Sequence, residues 1–262
     1  MPETRPVPFR GGGFNPAGWR WASWIAFAAI IAAWQLSSSS GLLPALFMPS
    51  PLAVLEALAR LVETGALTRH LAASLQRIAL GWAVGTLGGL AIGTAMGIFA
   101  VARSIGLPVT SALFPIPKIA LLPLLILWFG IGEPSKVATI ALGVLFPTII
   151  STYTAIDGVP RNLIRMGQSF GLPAAMIVWK ILLPGALPGI LSGFRISSSI
   201  ALILVVAAEM IGAEHGIGAF ILAAGNLMQT DQLVAGVVLL SLLGLAVSFG
   251  LSRLERWLLR WR

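Results

Sequence analysis

The sequence predicts an all-α protein of about six membrane-spanning helices, and three observations carry that prediction. Of its 262 residues, 57% are hydrophobic and only 10% charged, whereas a soluble domain has about 25% charged residues. The mean hydropathy is +0.93. Six stretches approach the roughly 20 apolar residues that carry a helix across about 30 Å of hydrocarbon. In water such a composition would expose large apolar areas and aggregate, so lipid is the expected solvent.

The same inventory narrows the chemistry. With no cysteine, the chain has no disulfide, thiolate nucleophile or thiolate metal site. The two histidines, His70 and His215, lie far apart in sequence, which argues against a His-rich metal centre. The formal charge of +8 comes from basic residues scattered through apolar sequence, not from a basic stripe interleaved with aromatics, so nucleic acid is not an expected partner. No GxxxxGK[ST] loop is present to hold nucleotide phosphates. Paired carboxylates or a Ser-His-Asp arrangement for an intramembrane enzyme cannot be assembled convincingly.

The six candidate spans are 21–36, 78–101, 105–129, 137–156, 187–211 and 233–251. The first is short and follows Arg5, Arg10 and Arg20, which also suits the core of a signal peptide. Trp19, Trp21, Trp24 and Trp34 fit membrane interfaces, and no clear small-x-small cleavage site follows, so a retained span is expected. Six spans put both termini on one side. If that side is the cytoplasm, the inner segments hold Arg5, Arg10, Arg20, Arg103, Arg161, Arg165, Lys180, Arg253, Arg256, Arg260 and Arg262. The outer segments hold Arg60, Arg69, Arg77 and Lys136, and the excess inside obeys the positive-inside rule. The expected organisation is a cytoplasmic tail, 1–20, and one membrane domain, 21–262. No linker, low-complexity run or internal repeat divides it.

In the first outer loop, "PSPLAVLEALARLVETG" predicts a helix capped by Ser50, started by Pro51 and ended by Gly65. Leu52, Leu55, Leu58, Leu61 and Val62 would form its apolar face, and Glu56 would face Arg60. Such a helix suits the membrane surface, or a docking surface for an extracytoplasmic partner. The second outer loop, 212–232, has Gly212, Gly216, Gly218 and Gly225 for tight turns and close approach. It is either a plain connection or a short helix plugging the outer mouth. The tail "LSRLERWLLRWR" ends the last span at the inner interface.

The segment "RNLIRMGQSFGLPAAMIVWKILLPGALPGI", 161–190, interrupts the oil. It predicts a first helix at 162–170 ended by Gly171 in a left-handed cap. A second helix would open at Pro173 and run to about Leu182, with Pro184 and Pro188 separating it from the fifth span. This elbow, 161–186, is too polar for lipid, and Met166, Phe170, Leu172 and Met176 interleave with polar groups as in a protein–protein contact.

Here the chain resembles the membrane permeases of ABC importers. Their cytoplasmic signature is Glu-Ala-Ala, three residues, Gly, nine residues, then Ile-x-Leu-Pro. Gly171 followed by nine residues and "ILLP" matches its second half at full spacing. The first half departs, with Arg165, Met166 and Gly167 at the Glu-Ala-Ala positions, and this implies an acidic partner position facing Arg165. "FMPSPLAVLEAL", "PLLILWFGIGEPSK", "LLPGALPGILSGFRIS" and "AAEMIGAEHGIG" resemble the branch that imports nitrate, sulfonates, taurine and related solutes.

The resemblance implies the type I importer fold and a non-catalytic permease in the bacterial inner membrane. It would work as a dimer, simplest as a homodimer, with two ATPase subunits binding ATP and Mg²⁺ and a substrate-binding protein outside. The elbow would be the coupling helix, contacting the ATPase through Arg165, Met166, Gly167, Gln168, Ser169, Phe170, Gly171, Leu172, Pro173 and Met176. The competing reading is a self-sufficient channel or ion-coupled carrier.

Candidate residues of the substrate path are Lys118, Arg195 and Glu209. A cation at mid-bilayer costs about 2.5–3.5 kcal/mol, so Lys118 and Arg195 each require water, a carboxylate or carbonyls. Lys118 lies among Pro115, Pro117 and Pro123, which break helical hydrogen bonding where a cavity is lined or protein buries the chain. Arg195 lies about 12 Å into the fifth span, and Glu209 is too far along that helix to pair with it. Both cations would make a passage attractive to anions. Alternatively, Lys118 sits lower, at the inner interface, and Arg195 snorkels or staples helices.

Overall fold

The computed structural model describes residues 20–40, 44 and 46–260, and the described residues form helices and turns with no strand. The expected cytoplasmic tail lies outside them apart from Arg20, as does Arg262. In chain order the helices are α1 Arg20–Ser39, α2 Pro51–Glu63, α3 Ala66–Ile98, α4 Ala100–Leu113, α5 Leu122–Phe129 and α6 Glu133–Asp157, followed by α7 Arg161–Ser169, α8 Ala174–Ile177, α9 Leu183–Glu209, α10 Ile217–Asn226 and α11 Thr230–Leu258. Five helices are long and apolar enough to cross a bilayer, α8 and α9 counting as one continuous helix, and α4 with α5 makes a sixth. The all-α prediction holds.

The second and third spans differ from the sequence expectation, as does the start of the fifth, which is continuous with the elbow from Ala174. The stretch 105–129 is bent by 86° between α4 and α5, through a 3₁₀ turn at Lys118–Leu121. Pro115 and Pro117 precede that turn and Pro123 opens α5, so the helical ladder lacks three donors within nine residues. The second span begins at Ala66, well before 78. Arg69 and Arg77 are therefore helical, not loop residues, and Lys136 stands in the first turn of α6. An assignment by hydropathy stops at such charges, whereas a helix carries them where partners exist.

Small residues let the central helices meet. Gly81, Gly85, Gly89 and Gly93 form a buried stripe on α3 against α6, the small-residue packing that association in lipid favours. A Cβ on Gly85 would fall 2.4 Å from the Ala141 carbonyl oxygen, so the stripe admits no side chain there. On the far side of α6, Gly143 receives Leu204 of α9. Ile78, Ile140, Val144, Ala201, Val205 and Ile217 form the core between these helices and α10.

Helix α2 begins as expected, with Ser50 Oγ accepting from the Ala53 N–H at 3.2 Å, and Gly65 adopts φ 68°. Its inward face is different. Val54 and Ala57 are buried against Ala235 of α11 and Leu61 is buried as well, while Leu52, Leu55 and Val62 remain exposed. Arg60 pairs with Asp231 of α11 at 2.9 Å, not with Glu56. Docking on a neighbouring helix, invisible in a local pattern, selected a face rotated from the leucine stripe.

Candidate functional site

Two polar assemblies occupy opposite ends of the bundle. At the end containing the α9–α10 connection, Glu209 closes α9 with its side chain fully buried. Its carboxylate accepts from Ser74 Oγ at 2.7 Å, from Arg77 Nη1 at 2.7 Å and from the Gly218 N–H at 2.8 Å. Ser74 Oγ in turn accepts from the Ile217 N–H at 2.8 Å. The first N–H groups of α10, which have no partner within their helix, are thus satisfied by side chains from α3 and α9, with an anion at the positive end of the helix dipole.

Arg77 is the hub of this junction. Its Nε and Nη2 grip both oxygens of Glu133 at 2.6 Å each, in the bidentate fork that guanidinium geometry allows. Its Nη1 also donates to the His215 carbonyl at 2.6 Å. One side chain therefore ties α3 to the start of α6, the end of α9 and the loop before α10. Gly216, at φ 141°, and Gly218 are required by closeness: a Cβ on the first would fall 2.3 Å from the Glu209 carboxyl carbon, and on the second 2.5 Å from the Val206 carbonyl oxygen. His70 Nδ1 lies 3.1 Å from the Gly216 nitrogen, which donates to it. The fold brings His70 and His215 to a ring separation of 5.9 Å, although no third His, Cys, Asp or Glu completes a metal site among the described residues.

At the other end stands the elbow. Helix α7 closes as expected: Gly171 takes φ 71°, its N–H bonds to the Gln168 carbonyl at 2.9 Å, and the Leu172 N–H bonds to the Gly167 carbonyl at 3.1 Å. This crossed pair is the Schellman cap. The second half differs from the expectation. Pro184 and Pro188 do not separate it from the fifth span; α8 passes through a π turn, Val178–Leu182, straight into α9. The Leu183 N–H bonds to the Val178 carbonyl, five residues back, and this widening makes room for the ring of Pro184, which a regular α register would force against a carbonyl.

The elbow's residues sort onto different faces. Met166, Phe170 and Met176 are exposed, Phe170 at 77%. Gly167 is buried, and a Cβ there would lie 2.8 Å from Ile181 Cδ1. The two halves of the signature thus fold onto each other: a small residue stands where the first half ends because the Ile of "ILLP" packs over it. Arg165 and Gln168 face a cleft of about 380 Å³ with Arg103, Asp157 and Arg161. Ser169 is exposed, Leu172 is half-buried and Pro173 leads into α8. Arg103 pairs with Asp157 at 2.8 Å, whereas Arg161 and Arg165 make no side-chain ion pair among the described residues.

The remaining candidates do not gather with these. Lys118 Nζ donates to the carbonyls of Leu113, Phe114 and Ile116 at 2.7, 3.1 and 2.7 Å and lies 4.6 Å from the centre of the Phe146 ring. Its ammonium thus caps carbonyls around the α4–α5 break, sharing that of Leu113 with the Ile116 N–H. Arg195 pairs with Glu255 of α11 at 2.6 Å. Glu209 belongs to the buried junction. Sequence reading missed Ser74, Arg77 and Glu133, whose partners lie 56 to 143 residues away.

The structure is thus a lipid-suited helical bundle with a self-contained polar junction at one end and an exposed elbow at the other. The family model for the "Binding-protein-dependent transport system inner membrane component" matches residues 85–261, and the chain belongs to this family: it is an ABC importer permease. It is 36% identical over 255 residues, 93% of each chain, to the taurine transport system permease protein TauC of Escherichia coli (strain K12). It is 38% identical over 242 residues, 92% of each chain, to the putative aliphatic sulfonates transport permease protein SsuC of the same organism. Among solved structures, the MetNI methionine ABC transporter in inward-facing conformations aligns with a TM-score of 0.64 and 23% identity, covering 74% of this chain and 96% of that one. An amino acid ABC transporter aligns at 0.58 and 17%, covering 78% and 98%. The type I importer fold and the transport function follow, as does a place in the inner membrane among ATPase and substrate-binding partners.

Proposed function

We propose that two identical copies of this chain, resting on two ATPase subunits, form the path by which a small sulfonate-like anion enters the cell from an extracytoplasmic binding protein. One observation carries the choice of cargo: relatives named for taurine and aliphatic sulfonates match over more than nine-tenths of both chains. The elbow and both termini face the cytoplasm, in keeping with the excess of basic residues on that side. ATP and Mg²⁺ belong to the partner ATPase, since this sequence has no phosphate-binding loop. Exposed Met166, Phe170 and Met176 supply apolar anchors for that subunit, and unpaired Arg165 suits an acidic position on it. Closure of the ATPases would then swing the permeases between inward-open and outward-open states.

The test is uptake of taurine, an alkanesulfonate and nitrate by the reconstituted complex with its binding protein. ATP-dependent uptake of a sulfonate in preference to nitrate is the expected result; preference for nitrate, or transport by this chain alone without ATP, overturns the reading. The same assay on Lys118→Met and Arg195→Met examines their place in the path, and unchanged rates for all three anions would remove both.

A further inference from the structure

One rod joins the two polar assemblies. From Ala174 to Glu209 the chain is continuous helix over 36 residues, about 54 Å at the α-helical rise. Near its inner end, Ile177 and Ile181 lie against Gly167 of α7. At its outer end, the Glu209 carboxylate has both oxygens occupied, Oε1 by Ser74 and Arg77 and Oε2 by Gly218 and Ser74. Such a carboxylate has no free face for a solute. It does have three donors, the Ser74 hydroxyl, Arg77 and the Gly218 N–H, from elements that the rod must carry if the outer mouth is to follow the elbow.

We propose that Arg77 and Glu209 are positioning residues for transport, locking the outer end of the α9 rod to α3, α6 and α10 so that a displacement of the elbow reaches the outer mouth as movement of one rigid body. Apolar packing alone tolerates sliding of one helix along another. Short, buried, charge-assisted bonds tolerate very little, because a shift of an ångström or two breaks them in low dielectric. Slippage is further blocked at Gly216 and Gly218, whose backbone already touches Glu209 and α9. A coupling element of this kind has discrete arrangements rather than a continuum. The proposal rests on the elbow being the seat of the ATPase.

The experiment compares basal and binding-protein-stimulated ATP hydrolysis, together with sulfonate uptake, in the complete complex in lipid nanodiscs or vesicles. The variants are Glu209→Gln, Arg77→Met, Arg77→Lys and Glu133→Gln. Glu209→Gln keeps the shape but replaces one acceptor oxygen with a donor facing other donors. For Glu209→Gln and Arg77→Met, retained ATPase and basal hydrolysis within about twofold of the parent are expected, with stimulation and uptake reduced about tenfold or more, the scale of one charge-assisted bond. Arg77→Lys, with the charge but not the fork, recovers part of the stimulation. Glu133→Gln alters the exposed arm of the junction and is expected to lie between Arg77→Lys and the parent; it keeps the comparison available should Arg77→Met fail to fold. Parent-like stimulation and uptake in Glu209→Gln overturns the proposal, as does an equal fall in basal and stimulated rates, which marks a purely structural role. Failure of the unmodified chain to retain an ATPase would defeat the elbow reading itself, and this proposal with it.

Discussion

Arg77 and Arg165 both stand within a few turns of an end of the same helical bundle, yet their surroundings are opposite. Arg77 is buried and makes four hydrogen bonds to three other elements. Arg165 is exposed on a cleft, beside Arg161 and near bare Phe170, with no ion pair among the described residues. A buried guanidinium must be fully compensated within its own chain, because water is not available to it. An exposed one can wait for a partner. The outer junction is thus complete in a single chain, and the elbow is finished only in an assembly.

The sharpest way to break this comparison is to remove Arg77. Arg77→Met leaves Glu209 buried without its counter-charge, and loss of one member of a buried pair costs about 3–5 kcal/mol; a large fall in the unfolding midpoint in detergent is expected. A shift no greater than that of a surface substitution would mean that the junction is not the stabilising feature described here. Phe170→Ala is predicted to do the reverse. Its side chain is already exposed, so the unfolding midpoint stays near the parent's, while retention of the ATPase weakens by about 2 kcal/mol, the scale of an aromatic anchor at an interface. Quantitative co-purification would read this, and equal retention would place the contact elsewhere on the elbow. The smallest effect belongs to Arg195→Met. Its pair with Glu255 is half exposed, and such pairs contribute about 0–1 kcal/mol, so little change in the unfolding midpoint is expected even if uptake changes.

The elbow was legible because its signals are local. Gly171 ends α7 in the conformation that a left-handed cap requires, and its spacing to "ILLP" survives in a direct packing contact between Gly167 and Ile181. The prolines misled, since nothing in the sequence announces that a π turn will absorb Pro184. The junction was not legible. In the sequence Glu209 stands as a candidate of the substrate path, but its partners are Ser74 and Arg77, more than 130 residues away, and Arg77 reads as part of an outer loop because hydropathy falls around it.

By itself the sequence determined the solvent, the number of spans and the Gly171 cap that ends α7, because composition and short-range stereochemistry need no distant partner. Only the tertiary structure decided which face of α2 turns inward, where the third span bends, and how His70, Ser74, Arg77, Glu133 and Glu209 converge. Those outcomes depend on which charges can neutralise each other once lipid has excluded water, and that is a property of the folded bundle as a whole.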